Sequence, residues 1–151
     1  FLSSPSLESE RIEGRLSSED YNIKLKGINV PDAHLSDFKG KYIFLNFWGS
    51  WCPPCRTEFP TIQDLYNNKK EKLGFILIAM QDEEEKVRSF IKKNNYTAPV
   101  YITSEALPQS LEFSVFPTTF IIGRDGEILK KDSGAADWNN ESVHQFIDKL
   151  R

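Results

Sequence analysis

The residues of this chain that could do redox chemistry are its only two cysteines. They lie three positions apart in Trp48-Gly49-Ser50-Trp51-Cys52-Pro53-Pro54-Cys55. An apolar run, Tyr42-Ile43-Phe44-Leu45-Asn46-Phe47-Trp48, leads in, and a run of helical character, Arg56-Thr57-Glu58-Phe59-Pro60-Thr61-Ile62-Gln63-Asp64-Leu65-Tyr66, leads out. A C-x-x-C pair at a strand-to-helix junction is a redox motif for an electrostatic reason. A helix N-terminus carries unpaired N–H groups and about half a positive charge. A thiolate placed there is stabilised, and a cysteine pKa near 8.5 can fall to roughly 3.5–7.5. The thiolate is the species that attacks a disulfide. Two intervening residues set the second sulfur one helical turn on, within reach of the first. Cys52 is therefore expected at the exposed lip as the attacking thiol, and Cys55 inside the first turn as the resolving one. Pro54 falls in the first turn, where a missing N–H costs nothing.

Two blander readings compete. A zinc site needs about four ligands, and the chain adds only His34 and His144, both distant in sequence. A structural disulfide would close a four-residue loop and constrain the unfolded chain little. A redox dithiol is the reading that remains, with no metal.

The stretch from Phe44 to Cys55, with Arg56-Thr57-Glu58-Phe59-Pro60 behind it, resembles the thioredoxin superfamily and more narrowly the TlpA/ResA-type thiol–disulfide oxidoreductases. Val115-Phe116-Pro117-Thr118-Thr119-Phe120-Ile121-Ile122 is similar to that family's cis-proline segment. The match covers roughly residues 21 to 151. It implies a cis Phe116–Pro117 bond beside Cys52, with the Phe116 backbone free to pair with an extended substrate segment by strand addition. A proline next to the dithiol also leaves no extra metal ligand. Trp51, Pro53 and Pro54 join Phe116 and Pro117 as the expected substrate-contacting surface, although Trp51 is also readable as simple packing.

Proton handling departs from thioredoxins proper. They commonly carry an aspartate where this chain has Asn46, and a lysine on the next central strand, where Phe75-Ile76-Leu77-Ile78-Ala79-Met80-Gln81 has none. Glu58, three residues after Cys55 and one turn along the same face, is the candidate replacement, and ResA-like proteins have a glutamate at this place. A carboxyl partly buried beside sulfur would have a raised pKa and could accept the Cys55 proton. An exposed helix glutamate or a first-turn dipole partner is the competing reading.

Around this centre, Tyr21-Asn22-Ile23-Lys24-Leu25-Lys26 alternates as a half-exposed strand. Ile28-Asn29-Val30-Pro31-Asp32 follows as a second short strand and turn, and residues 35–41 as a turn of helix ending at Gly40. His34 reads as a solvated surface histidine. Residues 43–48 and 75–80 predict strands covered on both faces. Phe59, Ile62, Leu65 and Tyr66 mark the buried face of the first long helix, which Pro60 is expected to kink. Asp82, with Glu85 three later, suggests a capping box opening a second helix, with Val87, Phe90 and Ile91 as its apolar stripe. Residues 98–103 read as an extra strand and 106–113 as a short helix, an insert of the kind TlpA/ResA-like proteins carry. Residues 118–122 and 127–130 flank Gly123-Arg124-Asp125-Gly126 as a hairpin. A last helix begins near Trp138 with Val143, Phe146, Ile147 and Leu150 inward. Trp138 reads as packing, and neither it nor His144 is assigned chemistry.

A chain of 151 residues suits one domain with a sizeable core. The net charge of −3 gives no basic footprint for nucleic acid. No run reaches the roughly 18 apolar residues of a membrane span. Residues 1–20, rich in Ser and Glu, read as a mobile tail or linker, and Ile12-Glu13-Gly14-Arg15 as native sequence or an engineered protease site. The domain is expected at 21–151.

The expectation is thus an α/β protein of thioredoxin-like fold, a central mixed sheet with helices on both faces, an N-terminal β-hairpin and a central α/β insert. Its expected activity is thiol–disulfide exchange on protein substrates through Cys52 and Cys55, with electrons passing through that pair and no other cofactor. Pro53 and Pro54 lack N–H donors, which favours a reducing pair. The resemblance implies an extracytoplasmic reductant in the periplasm or cell envelope, tethered through a removed N-terminal anchor or lipid, acting for example in cytochrome c maturation. An upstream membrane or soluble donor would supply electrons, and a monomer is expected. The other classes are a peroxiredoxin-type peroxidase, which normally lacks a C-x-x-C partner, and a non-catalytic partner-binding module of the same fold.

Overall fold

The two apolar runs that bracket the dithiol form neighbouring parallel strands. β3 (Tyr42–Trp48) and β4 (Leu73–Ala79) are in register along their whole length, from Tyr42 opposite Leu73 to Trp48 opposite Ala79. Between them runs α1 (Pro53–Lys69). This computed structural model describes residues 2–7 and 12–151. Five further strands complete one sheet: β1 (Lys24–Gly27), β2 (Ala33–His34), β5 (Val100–Ile102), β6 (Thr118–Ile122) and β7 (Ile128–Ser133). The strand order is β2-β1-β5-β4-β3-β6-β7, with β5, β4 and β3 parallel and the others joined antiparallel. α2 (Glu84–Lys93) and α3 (Glu141–Asp148) finish the helical set.

The sheet is buried on both faces, with the three α-helices on one and 3-10 helices on the other. Phe59, Ile62 and Leu65 of α1, Val87 and Ile91 of α2, and Val143 and Ile147 of α3 all join one cluster with Phe44, Trp48, Phe75 and Leu77 of the strands. The opposite cluster is closed by Leu16, Tyr21, Leu35 and Leu111, from the N-terminal segment and 3-10 turns. Handedness explains this. β3, β4 and β5 are adjacent and laid down in one direction, so two right-handed crossovers put α1 and α2 on the same side.

Several local expectations are corrected. The second strand of the N-terminal hairpin is Ala33–His34, and residues 28–32 form the turn. Asp32 Oδ1 accepts from the Gly27 N–H at 2.9 Å, and Asn29 bridges to Ala98 and Val100. The helix expected at 106–113 shrinks to one 3-10 turn, Gln109–Leu111, because Pro108 disfavours helical backbone before it. α2 begins after Glu83 with no side-chain cap, and Asp82 is engaged elsewhere. α1 carries Pro60 inside it, as the sequence placed it. Part of the stretch read as a mobile tail lies against the domain. Residues 12–16 run along the β6–β7 turn, where the Glu13 N–H donates to Ile128 O and the Leu16 N–H to Gly126 O, each at 2.8 Å, and Leu16 is buried. Near the start of the chain, Ser3 O accepts from the Asp137 N–H at 2.8 Å.

Candidate active site

The loop after β3 is fixed by bonds to β4 and α1. Trp48 O accepts from the Met80 N–H at 2.8 Å, and the Trp51 indole N–H returns to Met80 O at 2.9 Å. Gly49 must be glycine, because a Cβ there would overlap the Trp51 indole. Ser50 donates to the Asp82 carboxylate twice, through its N–H at 2.6 Å and its hydroxyl at 2.8 Å, while Arg56 Nη1 donates to Ser50 O at 2.8 Å. Asp82, expected as a helix cap, is thus the clamp of the active-site loop.

Cys52 is the N-cap of α1, with Pro53 and Pro54 as the first two helical residues and Cys55 the third. The two sulfurs are joined as a disulfide, with Cα atoms 5.2 Å apart. Cys52 is not at an exposed lip: it is 3% exposed and belongs to the core cluster. Its disulfide partner Cys55 is 1% exposed. The group that projects is Trp51, 46% exposed, flanked by the exposed Pro53 and Pro54. The Cys55 N–H donates to Cys52 Sγ at 3.3 Å. The prolines contribute no donor, and the Arg56 N–H is taken by Cys52 O.

The second sequence motif arrives on the other side. The Phe116–Pro117 peptide is cis. The Phe116 ring meets Trp51 edge-on, with centroids 5.0 Å apart, and Phe113 at 5.1 Å, while Pro117 is buried. The Trp51–Phe116 contact thus brings the C-P-P-C segment and the Phe116–Pro117 segment together, with Pro53, Pro54 and Val115 exposed.

Glu58 is 1% exposed and faces inward one turn below Cys55; the exposed-glutamate reading is excluded. Its Oε2 accepts from the Ala136 N–H at 2.9 Å and the Trp138 indole N–H at 3.0 Å, and its Oε1 from Asn46 Nδ2 at 3.3 Å. Burial pushes its pKa up to about 7. The three N–H donors oppose that rise, and the charge of Asp132 adds to it. Trp138, read from sequence as packing, does pack edge-on against Phe44, but its polar edge serves this carboxyl. Sequence reading missed Trp138, Ala136, Thr119 and Asp82, whose roles depend on contacts 32 to 80 residues away.

The sequence profile of the Redoxin family matches residues 23–147. The chain belongs to the redoxin family. Among relatives of this redoxin, the thiol-disulfide oxidoreductase ResA of Bacillus thuringiensis subsp. konkukian (strain 97-27) is 32% identical over 146 residues, 95% of this chain and 82% of its own length. The ResA of Bacillus subtilis (strain 168) is 33% identical over 137 residues, 89% and 75% of the two chains. The crystal structure of StoA from Bacillus subtilis superposes with a TM-score of 0.67 at 28% identity, covering 83% of this chain and 92% of that one. The thioredoxin-like fold, the ResA-like kinship and the oxidoreductase class expected from the C-P-P-C motif all stand.

Proposed function

We propose that this redoxin reduces protein disulfides outside the cytoplasm, in the manner its ResA-type kinship suggests and with cytochrome c maturation as the setting. The observation that carries the reading is the pairing, at one helix start, of a disulfide that only one amide of the first turn supports and a buried acid one turn below it. In the reduced protein, the Cys52 thiolate attacks a substrate disulfide. A Cys52–substrate bond forms and the substrate's other sulfur leaves as thiolate. Cys55 gives its proton to the Glu58 carboxylate, attacks Cys52 Sγ, and releases the second substrate sulfur. Two electrons have moved to the substrate, the chain holds the Cys52–Cys55 disulfide, and Glu58 holds the proton. A pKa near 7 suits this exchange at neutral pH. An upstream membrane or soluble donor then restores the dithiol. Trp51, Pro53, Pro54, Phe116 and Pro117 form the apolar surface on which an extended substrate segment lies. The acting unit is a monomer held in the periplasm or cell envelope through an N-terminal anchor.

The test joins two measurements. A Cys55→Ser variant should trap substrates on Cys52, identifiable by mass spectrometry, and the wild-type pair should equilibrate with a thiol buffer at a strongly reducing potential. A potential near the roughly −120 mV of a strong oxidant, or failure to reduce insulin disulfides, would overturn the reading.

A further inference from the structure

Asn46 is fully buried, and its Oδ1 has no hydrogen-bond partner among the described residues. A buried orphan of this kind calls for an explanation. Its other end is well used: Nδ2 donates to Thr119 Oγ1 at 2.9 Å and to Glu58 Oε1 at 3.3 Å. Sheet register creates this cluster. Asn46 lies directly opposite Thr119, and Thr119 directly opposite Asp132, so β3, β6 and β7 present one polar row beneath α1.

The three partners make a reversible set. An amide has a donor end and an acceptor end, a carboxyl accepts when ionised and donates when protonated, and a hydroxyl does either. With Glu58 ionised, Nδ2 faces it and donates two hydrogen bonds, to the carboxylate and to Thr119. With Glu58 protonated, the carboxamide turned half a rotation presents Oδ1, which accepts from the Glu58 O–H and the Thr119 O–H. Each arrangement makes two hydrogen bonds and leaves one end of the amide unpartnered. Oε2 is already held by the Ala136 and Trp138 N–H groups, so the proton belongs on Oε1, next to Asn46.

We propose that the Asn46 carboxamide turns over with the proton on Glu58, the Thr119 hydroxyl serving both orientations, and that Asn46 is thereby the positioning residue that lets one buried carboxyl act as base in one half-reaction and acid in the other. This rests on the assignment of Glu58 as proton acceptor for Cys55. The ionisable group that acts on Glu58 is Asp132 from β7, Cys55 on its own helix being held in the disulfide. β3 and β6 present only Asn46 and Thr119, and the 134–140 loop only the N–H groups of Ala136 and Trp138.

The test uses the oxidised full chain, labelled with 15N and 13C, titrated from acid to alkaline pH by NMR. The Asn46 side-chain NH2 signals should shift with the same midpoint as the Glu58 carboxyl carbon, and should become flat in Glu58→Gln. Thr119→Val removes the hydroxyl that partners the Asn46 carboxamide in both orientations. Each protonation state then loses one hydrogen bond, so the Glu58 midpoint should stay within about half a pH unit of the wild type, and a shift of a full unit or more would show that the hydroxyl serves one orientation only and contradict the proposal. Asn46 signals that stay constant while Glu58 titrates, or a Glu58 that does not titrate in this range, would overturn the proposal. The wild-type titration decides even if Thr119→Val fails to fold. The oxidised protein reads the switch alone, so insulin reduction separately reports whether the proposed exchange activity stands.

Discussion

Replacing Glu58 with glutamine should change how the stability of the oxidised protein depends on pH, in a direction set by burial. In the unfolded chain this carboxyl titrates near 4.5, and in the folded protein at about 7. Between those values the folded state holds a proton that the unfolded state has released. Stability therefore falls as pH rises through this window. A displacement from 4.5 to about 7, at about 1.4 kcal/mol per pH unit, amounts to about 3 kcal/mol lost by pH 8 relative to pH 4. Glu58→Gln has no proton to lose and should escape that loss. Its absolute stability also reflects how an amide fits among three N–H donors, so the informative quantity is the difference between variant and wild type at each pH. Urea unfolding monitored by tryptophan fluorescence, with the disulfide intact, measures it. The variant should gain about 3 kcal/mol on the wild type between pH 4 and pH 8. A difference that stays constant across this range would mean that Glu58 titrates at its ordinary value, and the proposed proton transfer from Cys55 would lose its physical basis.

Two other perturbations bear on the sulfur pair and its loop. Pro54→Ala restores an N–H at the second helical position, where N-cap side chains are served. One charge-assisted bond of about 1.5–3 kcal/mol to the Cys52 thiolate should raise the reduction potential by roughly 30–60 mV, and a potential that stays put or becomes more negative contradicts the argument. Asp82→Asn weakens both bonds to Ser50. It should cost about 1–2 kcal/mol in urea unfolding and slow insulin reduction, whereas unchanged turnover would show that the loop needs no clamp.

What was legible in the sequence was what short range decides. The redox pair, the helix behind it, the two buried strands and the 118–130 hairpin follow from spacing and turn chemistry at short range. The misreadings share a cause. Asp82 looked like a helix cap because Glu85 stands three residues on, yet its better partner, Ser50, lies 32 residues away. Trp138 looked like packing because nothing near it needs a donor, and the carboxyl it serves is 80 residues distant. Cys52 looked exposed because helix starts usually are, but it packs in the core cluster with Phe59 and Trp48, which the local sequence does not print. Which helices share a face was not legible, because strand order, which sequence does not print, decides on which side a crossover falls.

That division runs through the mechanism itself. The electron-carrying half of the site is a local object: two sulfurs, two prolines and one amide at the start of α1, all within four consecutive residues. The proton-carrying half is a tertiary object, in which Glu58 on α1 meets Asn46 of β3, Thr119 of β6, Asp132 of β7 and the Ala136–Trp138 loop. Substitutions at the prolines should therefore move the reduction potential and leave the Glu58 midpoint in place. Asn46→Leu, which removes one of the donors that hold the carboxylate, should raise the midpoint and alter the potential only through its dependence on pH. The two halves meet at Cys55, whose amide donates to Cys52 Sγ and whose proton, in the proposed exchange, goes to the buried acid. No substitution there can separate them.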